Sequence, residues 1–288
     1  MTQKRATSTV WRRRVGAQLR RWREPVMKAG DAAKVMGWDS TRLSRVERGQ
    51  YRVSSDEVRT LAAHLGVDDE VAVSEVARVA ERPLGGGWWA PYAGRIGDAY
   101  LDFIELEADA RAIRIHHPTV VPAPLQSAGY VREILTRAAT NLTPERAEML
   151  VSIRMARQGI LTSDEGPVKL NVLVPELALH ARFESGPGVM RDQIRRLLDA
   201  TELPNVNLQL VPLTAHPAFV TKGPVTLMSF SHPWVPIGSV DSPLGGTHTE
   251  EPEKVSWMEE EFDLISSIAL PVDASRERLS EYLEGLYK

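Results

Sequence analysis

Apolar residues in the first eighty positions recur at steps of three and four, the period of a helix buried along one side. Val15, Leu19 and Trp22 mark a helix over 11–24, with Arg12, Arg13, Arg20 and Arg23 on its other face. Pro25 ends that helix or sits just past it. Asp31–Met36 is a second, short helix, stopped by Gly37, which tolerates the left-handed backbone of a helix end. Asp39 or Ser40 caps a third helix, with Leu43 and Val46 inward and Gly49 at its close. "SSDEVRTLAAHLG" (54–66) forms a fourth, in which Ser54 and Glu57 have capping-box spacing. "DDEVAVSEVARVAERP" (68–83) is a fifth, opened by acids and closed by arginine and proline.

The period then breaks. "ERPLGGGWWAPYAGRIGD" (81–98) holds three consecutive glycines after a proline, which neither sustain a helix nor fill a core. The domain boundary is expected at 83–87, giving a helical domain over 1–83, a Gly/Trp-rich hinge over 84–92 and a larger domain over 93–288. No Gly-Lys-Ser/Thr follows the glycines, so they are not a phosphate loop. Trp88, Trp89 and Tyr92 come directly after and either pack as a latch on the larger domain or form part of a ligand pocket or partner surface.

Beyond the break, helical and alternating patterns mix. "EADARAIRIHHP" starts helical and finishes extended. "SAGYVREILTRAA", "TPERAEMLVSIRMARQGIL" and "GPGVMRDQIRRLLDATELP" are amphipathic helices, while "VKLNVLVP" and "VNLQLVPL" alternate as strands. "PVTLMSFSHP" and "WVPIGSVDSP" read as adjacent strands, and two helices end the chain. The expected architecture is multidomain: an all-α five-helix domain followed by an α+β domain with a sheet of four to six strands.

Charge adds an asymmetry that the net value of -3 conceals. Residues 1–54 carry 14 Lys+Arg against 4 Asp+Glu, whereas 83–288 carry 18 against 27. A basic head on an acidic body suits a polyanion at the head. The 43% apolar and 25% charged content is that of a globular protein. The basic start lacks the apolar core of a secretory signal, and no apolar run reaches the length of a membrane span. A cytoplasmic location without membrane association is expected. The absence of cysteine excludes disulfides, thiolate zinc sites and cysteine nucleophiles.

Five short helices with a glycine turn between the second and third describe a helix-turn-helix domain. "DAAKVMGWDSTRLSRVERG" followed by "SSDEVRTLAAHLGV" resembles the XRE-type (Cro/CI-like, lambda-repressor-like) family. The tracks are Ala33, Gly37, Leu43 and the run from Ser44 to Gly49. The resemblance implies a third helix in the major groove of double-stranded DNA. Ser40, Thr41, Ser44 and Arg45 then face bases, and Lys28, Arg42, Arg48 and Arg52 meet phosphates. Glu47 is assigned an internal ion pair with an arginine of the first helix. The family pattern is broken at Lys28, Ala29 and Gly30, where Ser/Thr and Gln/Glu usually start the second helix; Lys28 can replace the phosphate contact.

The region from "ELEADARAIRIHHPTVVPAPLQSAGYVREIL" onward resembles the C-terminal domain of WhiJ-like regulators of high-GC filamentous bacteria. Its tracks are Leu106–Glu107, "VVPAPLQ", Tyr130, "RMARQGIL", "LPNVNLQLVPL" and "GPVTLMSF", with Ala123–Pro124 in place of Gly-Leu. The resemblance implies a regulator, often paired with a small partner protein in an antitoxin-like arrangement. It identifies no ligand.

No catalytic constellation emerges. His116 and His117 are adjacent on a strand and point to opposite faces, and the other histidines lack metal-ligand spacing. No G-x-S-x-G elbow and no dinucleotide fingerprint is present. No metal, no cofactor and no enzymatic activity are expected. Arg114, "SFS" (229–231) and Glu250 or Glu251 fall in the order of an ADP-ribosyltransferase's arginine, serine and glutamate, without the flanking motif. Trp88, Trp89, Arg114, His116, Gln126 and Tyr130 are candidates to line a ligand pocket.

The reading with most support is a sequence-specific transcription regulator. It binds an operator as a homodimer through the helix at 39–48 and is controlled by a small-molecule effector or small partner protein at the C-terminal domain. An antitoxin-like interaction module is the alternative, and the enzyme comes third.

Overall fold

The computed structural model describes residues 8–83, 86–138, 142–164, 166–216, 223–240 and 247–285. The chain forms two compact units: Met1–Leu106 with Ser231–Val235, and Glu107–Phe230 with Pro236–Lys288. The boundary expected at 83–87 includes residues 84 and 85, which lie outside the described residues.

The first unit contains α1 (Val10–Arg23), α2 (Ala29–Val35), α3 (Ser40–Glu47), α4 (Ser55–His64) and α5 (Glu70–Ala80). A 3-10 turn follows at Ala90–Tyr92, and then α6 (Asp98–Asp109), which runs on into the second unit. Four of the five short helices start at a side-chain cap, α2 being the exception. Thr9, Asp39 and Asp69 cap α1, α3 and α5 by accepting from backbone N–H groups of the first turn. Ser54 and Glu57 form the full reciprocal capping box of α4. Ser54→Ala is expected to cost about 1 kcal/mol, seen as a lower urea midpoint for loss of helix. Leu19, Leu43, Val58, Leu61 and Val76 are fully buried and make the core.

α1 differs from expectation on its charged side. Arg14 and Arg23 are buried. Arg14 lies over the rings of Trp11 and Trp234, and its guanidinium donates to the Val235 carbonyl at 2.5 Å. Trp234 meets Trp11 edge-on at 5.2 Å and donates its indole N–H to Glu75 at 3.1 Å. The segment 231–235 therefore completes the apolar packing beside α1, which no periodicity near residue 230 announces.

The second unit is built on one six-stranded sheet of order β3-β2-β1-β4-β5-β6. The strands are β1 (Ala112–His116), β2 (Lys169–Pro175), β3 (Val206–Val211), β4 (Val225–Ser229), β5 (Ile237–Val240) and β6 (Thr247–Thr249). β1, β2 and β3 are parallel neighbours, and β4, β5 and β6 extend the sheet antiparallel. Parallel pairing demands long crossovers. α7 (Ala128–Ala138) and α8 (Pro144–Arg157) supply the first; α9 (Glu176–Leu179) and α10 (Gly188–Thr201) supply the second. Two helices close the chain, α11 (Pro252–Ile268) and α12 (Val272–Gly285). Leu173, Val211, Val225 and Leu227 pack against Val255, Met258, Phe262 and Ile265 of α11. With helices covering it, β2 is buried along nearly its whole length, which explains its almost continuous apolar run. Among the described residues no helix is long and apolar enough to cross a membrane.

Candidate nucleic-acid interface

α3 is fixed from below. Leu43 and Val46 are buried, and the Asp39 carboxylate accepts from the Arg42 amide at 2.7 Å. Two glycines bring α1 against the far end of this helix. A Cβ on Gly16 would lie 2.3 Å from the Val46 carbonyl oxygen, and one on Gly49 would lie 2.6 Å from the Arg13 nitrogen. Gly49 also has φ +68°, a backbone region L side chains rarely adopt. Glycine at both positions lets two backbones touch.

The buried end of α3 is closed by an ion pair. Arg23 donates to Glu47 through two nitrogens, at 2.5 and 3.0 Å, and also to the Met27 carbonyl at 3.1 Å. The side chains are 8% and 9% exposed. The hydrogen bond to Glu47 raises the Arg23 pKa further, so this guanidinium stays charged. Glu47 thus has the internal partner on the first helix that the sequence suggested.

With Leu43 and Val46 inward, the opposite face of α3 is left outward. Ser40, Thr41, Ser44, Arg45 and Arg48 are all exposed, and 41, 44, 45 and 48 follow the three- and four-residue steps of one helical face. Arg45 lies over the Tyr51 ring, 5.6 Å from its centroid. Arg48 folds back on its own helix, donating to the Ser44 carbonyl and hydroxyl, each at 3.0 Å.

Arg42 is occupied differently. It stacks over Trp38 at 4.4 Å and pairs with Glu57, the acid of the α4 capping box. It therefore ties α3 to α4. The sequence gives no role to Trp38 or Tyr51 and pairs Glu57 only with Ser54, because the arginine partners of all three are set by tertiary contacts. Arg52 makes a loose pair with Glu81 at 3.4 Å, both side chains about half exposed, an interaction of small worth. Arg12 has its pKa lowered, first by burial and then by the like charge of Arg52. Those two cations are close enough to repel, and a bound anion would relieve the repulsion. Lys28 is exposed at the start of α2, where no side chain caps the helix.

The residues suggested for a ligand pocket fall in both units. In the first unit Trp88 meets Trp89 and Tyr92 edge-on at 5.8 and 6.3 Å, so these aromatics pack on one another. In the second unit Arg114 pairs with Asp263 and covers the Phe262 ring. His116 is buried, its Nδ1 at 3.3 Å from the Leu173 carbonyl. Burial pulls its pKa down to about 4, which keeps the imidazole neutral near pH 7. Gln126 and Tyr130 do converge, on one residue. The Val121 amide donates to the Tyr130 hydroxyl at 3.2 Å, and the Gln126 amide donates to the Val121 carbonyl at 2.6 Å. Their visible role is to hold the loop after β1. Glu251, one of the acids in the transferase-like trio, pairs with Lys254 at the start of α11.

A family model described as a helix-turn-helix domain matches residues 14–74. A second, described as a domain of unknown function (DUF5753), matches residues 100–281. No curated protein and no solved structure matches the chain.

Proposed function

Because the chain belongs to the family of the domain of unknown function (DUF5753) and carries a helix-turn-helix domain ahead of it, we propose that it is a sequence-specific transcription regulator. It binds its operator as a dimer, works in the cytoplasm and is controlled through its C-terminal unit by a ligand or a partner protein. One observation carries the reading. α3 buries Leu43 and Val46 and turns Ser40, Thr41, Ser44 and Arg45 to solvent, the disposition a helix needs to enter a major groove. Arg45 is the residue with most to contribute. It pairs with no acid among the described residues, so it reaches a base edge without first breaking an ion pair.

The roles divide by chemistry. Arg45 donates two parallel hydrogen bonds to guanine, and the hydroxyls of Ser40, Thr41 and Ser44 accept or donate with less discrimination. Lys28, Arg48 and Arg52 serve phosphates and make affinity fall with salt. Arg42 adds to the phosphate set only if it leaves Glu57. Half-sites then repeat at about one DNA turn, roughly 34 Å, or a multiple.

The test is selection of bound genomic fragments by the full chain, followed by titration of the selected site. Arg45→Ala is expected to lose about 1–3 kcal/mol of discrimination at one base pair, with non-specific affinity little changed. Arg48→Ala is expected to weaken all sequences alike and flatten the salt slope. Retention of wild-type preference by Arg45→Ala would overturn the assignment. A stoichiometric small protein co-purifying with the chain, and no selected sequence, would favour the antitoxin-like reading instead.

A further inference from the structure

The second unit contains a cavity of about 590 Å³ between the segment after α9, the start of α10 and the last turns of α12. That volume lies within the range of small-molecule sites. Its walls are apolar: Phe183, Met190 and Ile194 line it, with the ring of Tyr282. Met190 and Ile194 are buried in the core, and Phe183 is backed edge-on by Tyr130 at 5.3 Å. These walls are therefore held by packing rather than by a ligand.

The lining also carries polar and charged groups. Arg182 and Arg278 both line the cavity, against Glu281 as the acid of the lining. Arg278 is shared between Glu176 at 3.6 Å and Glu281 at 3.5 Å, both too long for a good hydrogen bond. Arg182 is exposed and pairs with no acid among the described residues. Tyr282 and His180 meet at 3.1 Å through the phenol oxygen and Nε2. Burial, then the charge of Glu176 and a hydrogen bond to Glu176, push the Tyr282 pKa up. An apolar chamber lined by Arg182, a guanidinium with no acid partner among the described residues, selects an apolar body ending in one anionic group.

We propose that this cavity binds an apolar, ring-bearing monocarboxylate, with the carboxylate at Arg182 and the ring among Phe183, Met190 and Ile194. Its standing as the effector site rests on the regulator reading above; its occupancy does not. The test uses the full chain without DNA and titrates 2-naphthylacetate calorimetrically, beside the uncharged 2-naphthylacetamide. One-site saturable binding of the acid is expected, with the amide at least ten-fold weaker. Arg182→Gln changes an exposed residue and leaves the fold alone. It should weaken the acid about ten-fold and leave the amide unchanged. Absence of saturable binding, equal affinity for acid and amide, or an unaltered acid affinity in Arg182→Gln would each overturn the proposal. None of these outcomes bears on operator binding, and a failed operator selection leaves the calorimetric result standing.

Discussion

Glu107→Ala is expected to lower the stability of the second unit by about 3–5 kcal/mol, the usual loss when one partner of a buried ion pair is removed. Arg157 donates to Glu107 through Nε and Nη2, at 2.7 and 2.8 Å, and the side chains are only 7% and 3% exposed. The pair joins α6 to α8 across 50 residues of sequence. Alanine leaves the guanidinium of Arg157 in a place that water barely reaches, and that uncompensated charge is the larger part of the penalty. The companion variant with both residues replaced, Glu107→Leu with Arg157→Met, should recover most of the loss, because no buried charge remains. Equilibrium urea unfolding followed by circular dichroism reads the stability. Hydrogen exchange at the β2 amides assigns the change to the sheet unit. A single variant within 1 kcal/mol of wild type would show that water reaches the pair in solution.

The same physics predicts a comparable loss in the first unit for Glu47→Ala, again about 3–5 kcal/mol. Here the stranded group is Arg23, 8% exposed, which keeps its bond to the Met27 carbonyl and a long contact with the exposed Glu24 at 3.9 Å. The consequence differs because of what Glu47 carries. It is the last residue of α3, next to the place where the backbones of Gly16 and Val46 touch. Loosening that end frees the whole exposed face of the helix to shift. Operator affinity should therefore fall along with helix stability, although Glu47 faces inward. Arg23→Met with Glu47→Leu is expected to regain stability and, with it, operator binding. Gel-shift titration beside thermal unfolding checks both. A Glu47→Ala protein that loses stability yet binds its operator normally would separate the pair from the position of α3.

The two ion pairs were legible to different degrees. The family pattern at "SRVERG" already pointed Glu47 inward, toward an arginine of the first helix, and only which arginine remained open. Glu107 and the arginines of "RMARQGIL" stood out as shared tracks of a resemblance, with no reason attached. The structure supplies one: Arg157 is the buried partner of Glu107, and Arg154 donates to Gln126 at 3.1 Å. "VVPAPLQ" and Tyr130 gain a reason in the same way, since Tyr130 and Gln126 clamp the two backbone groups of Val121. The cavity proposed for a carboxylate left no such trace. Its lining comes from two stretches, 179–194 and 278–285, far apart in the sequence, and neither carries a recognisable motif.

By itself the sequence determined the five helices of the head, the glycine stops at Gly37 and Gly49, the capping box at Ser54, the concentration of cations at the front and the α+β character of the remainder. These depend on hydrogen bonds within one turn and on which face of a single element is apolar, and both are written in neighbouring residues. Tertiary structure alone decided that β1 lies between β2 and β4, that Arg14 and Arg23 are buried while Arg45 is not, that residues 231–235 pack with the head, and that Phe183, Met190 and Tyr282 enclose one space. Each of those depends on segments tens to hundreds of residues apart meeting in one place. A meeting of that kind is fixed by the path of the whole chain, and it imposes no period or spacing on either segment.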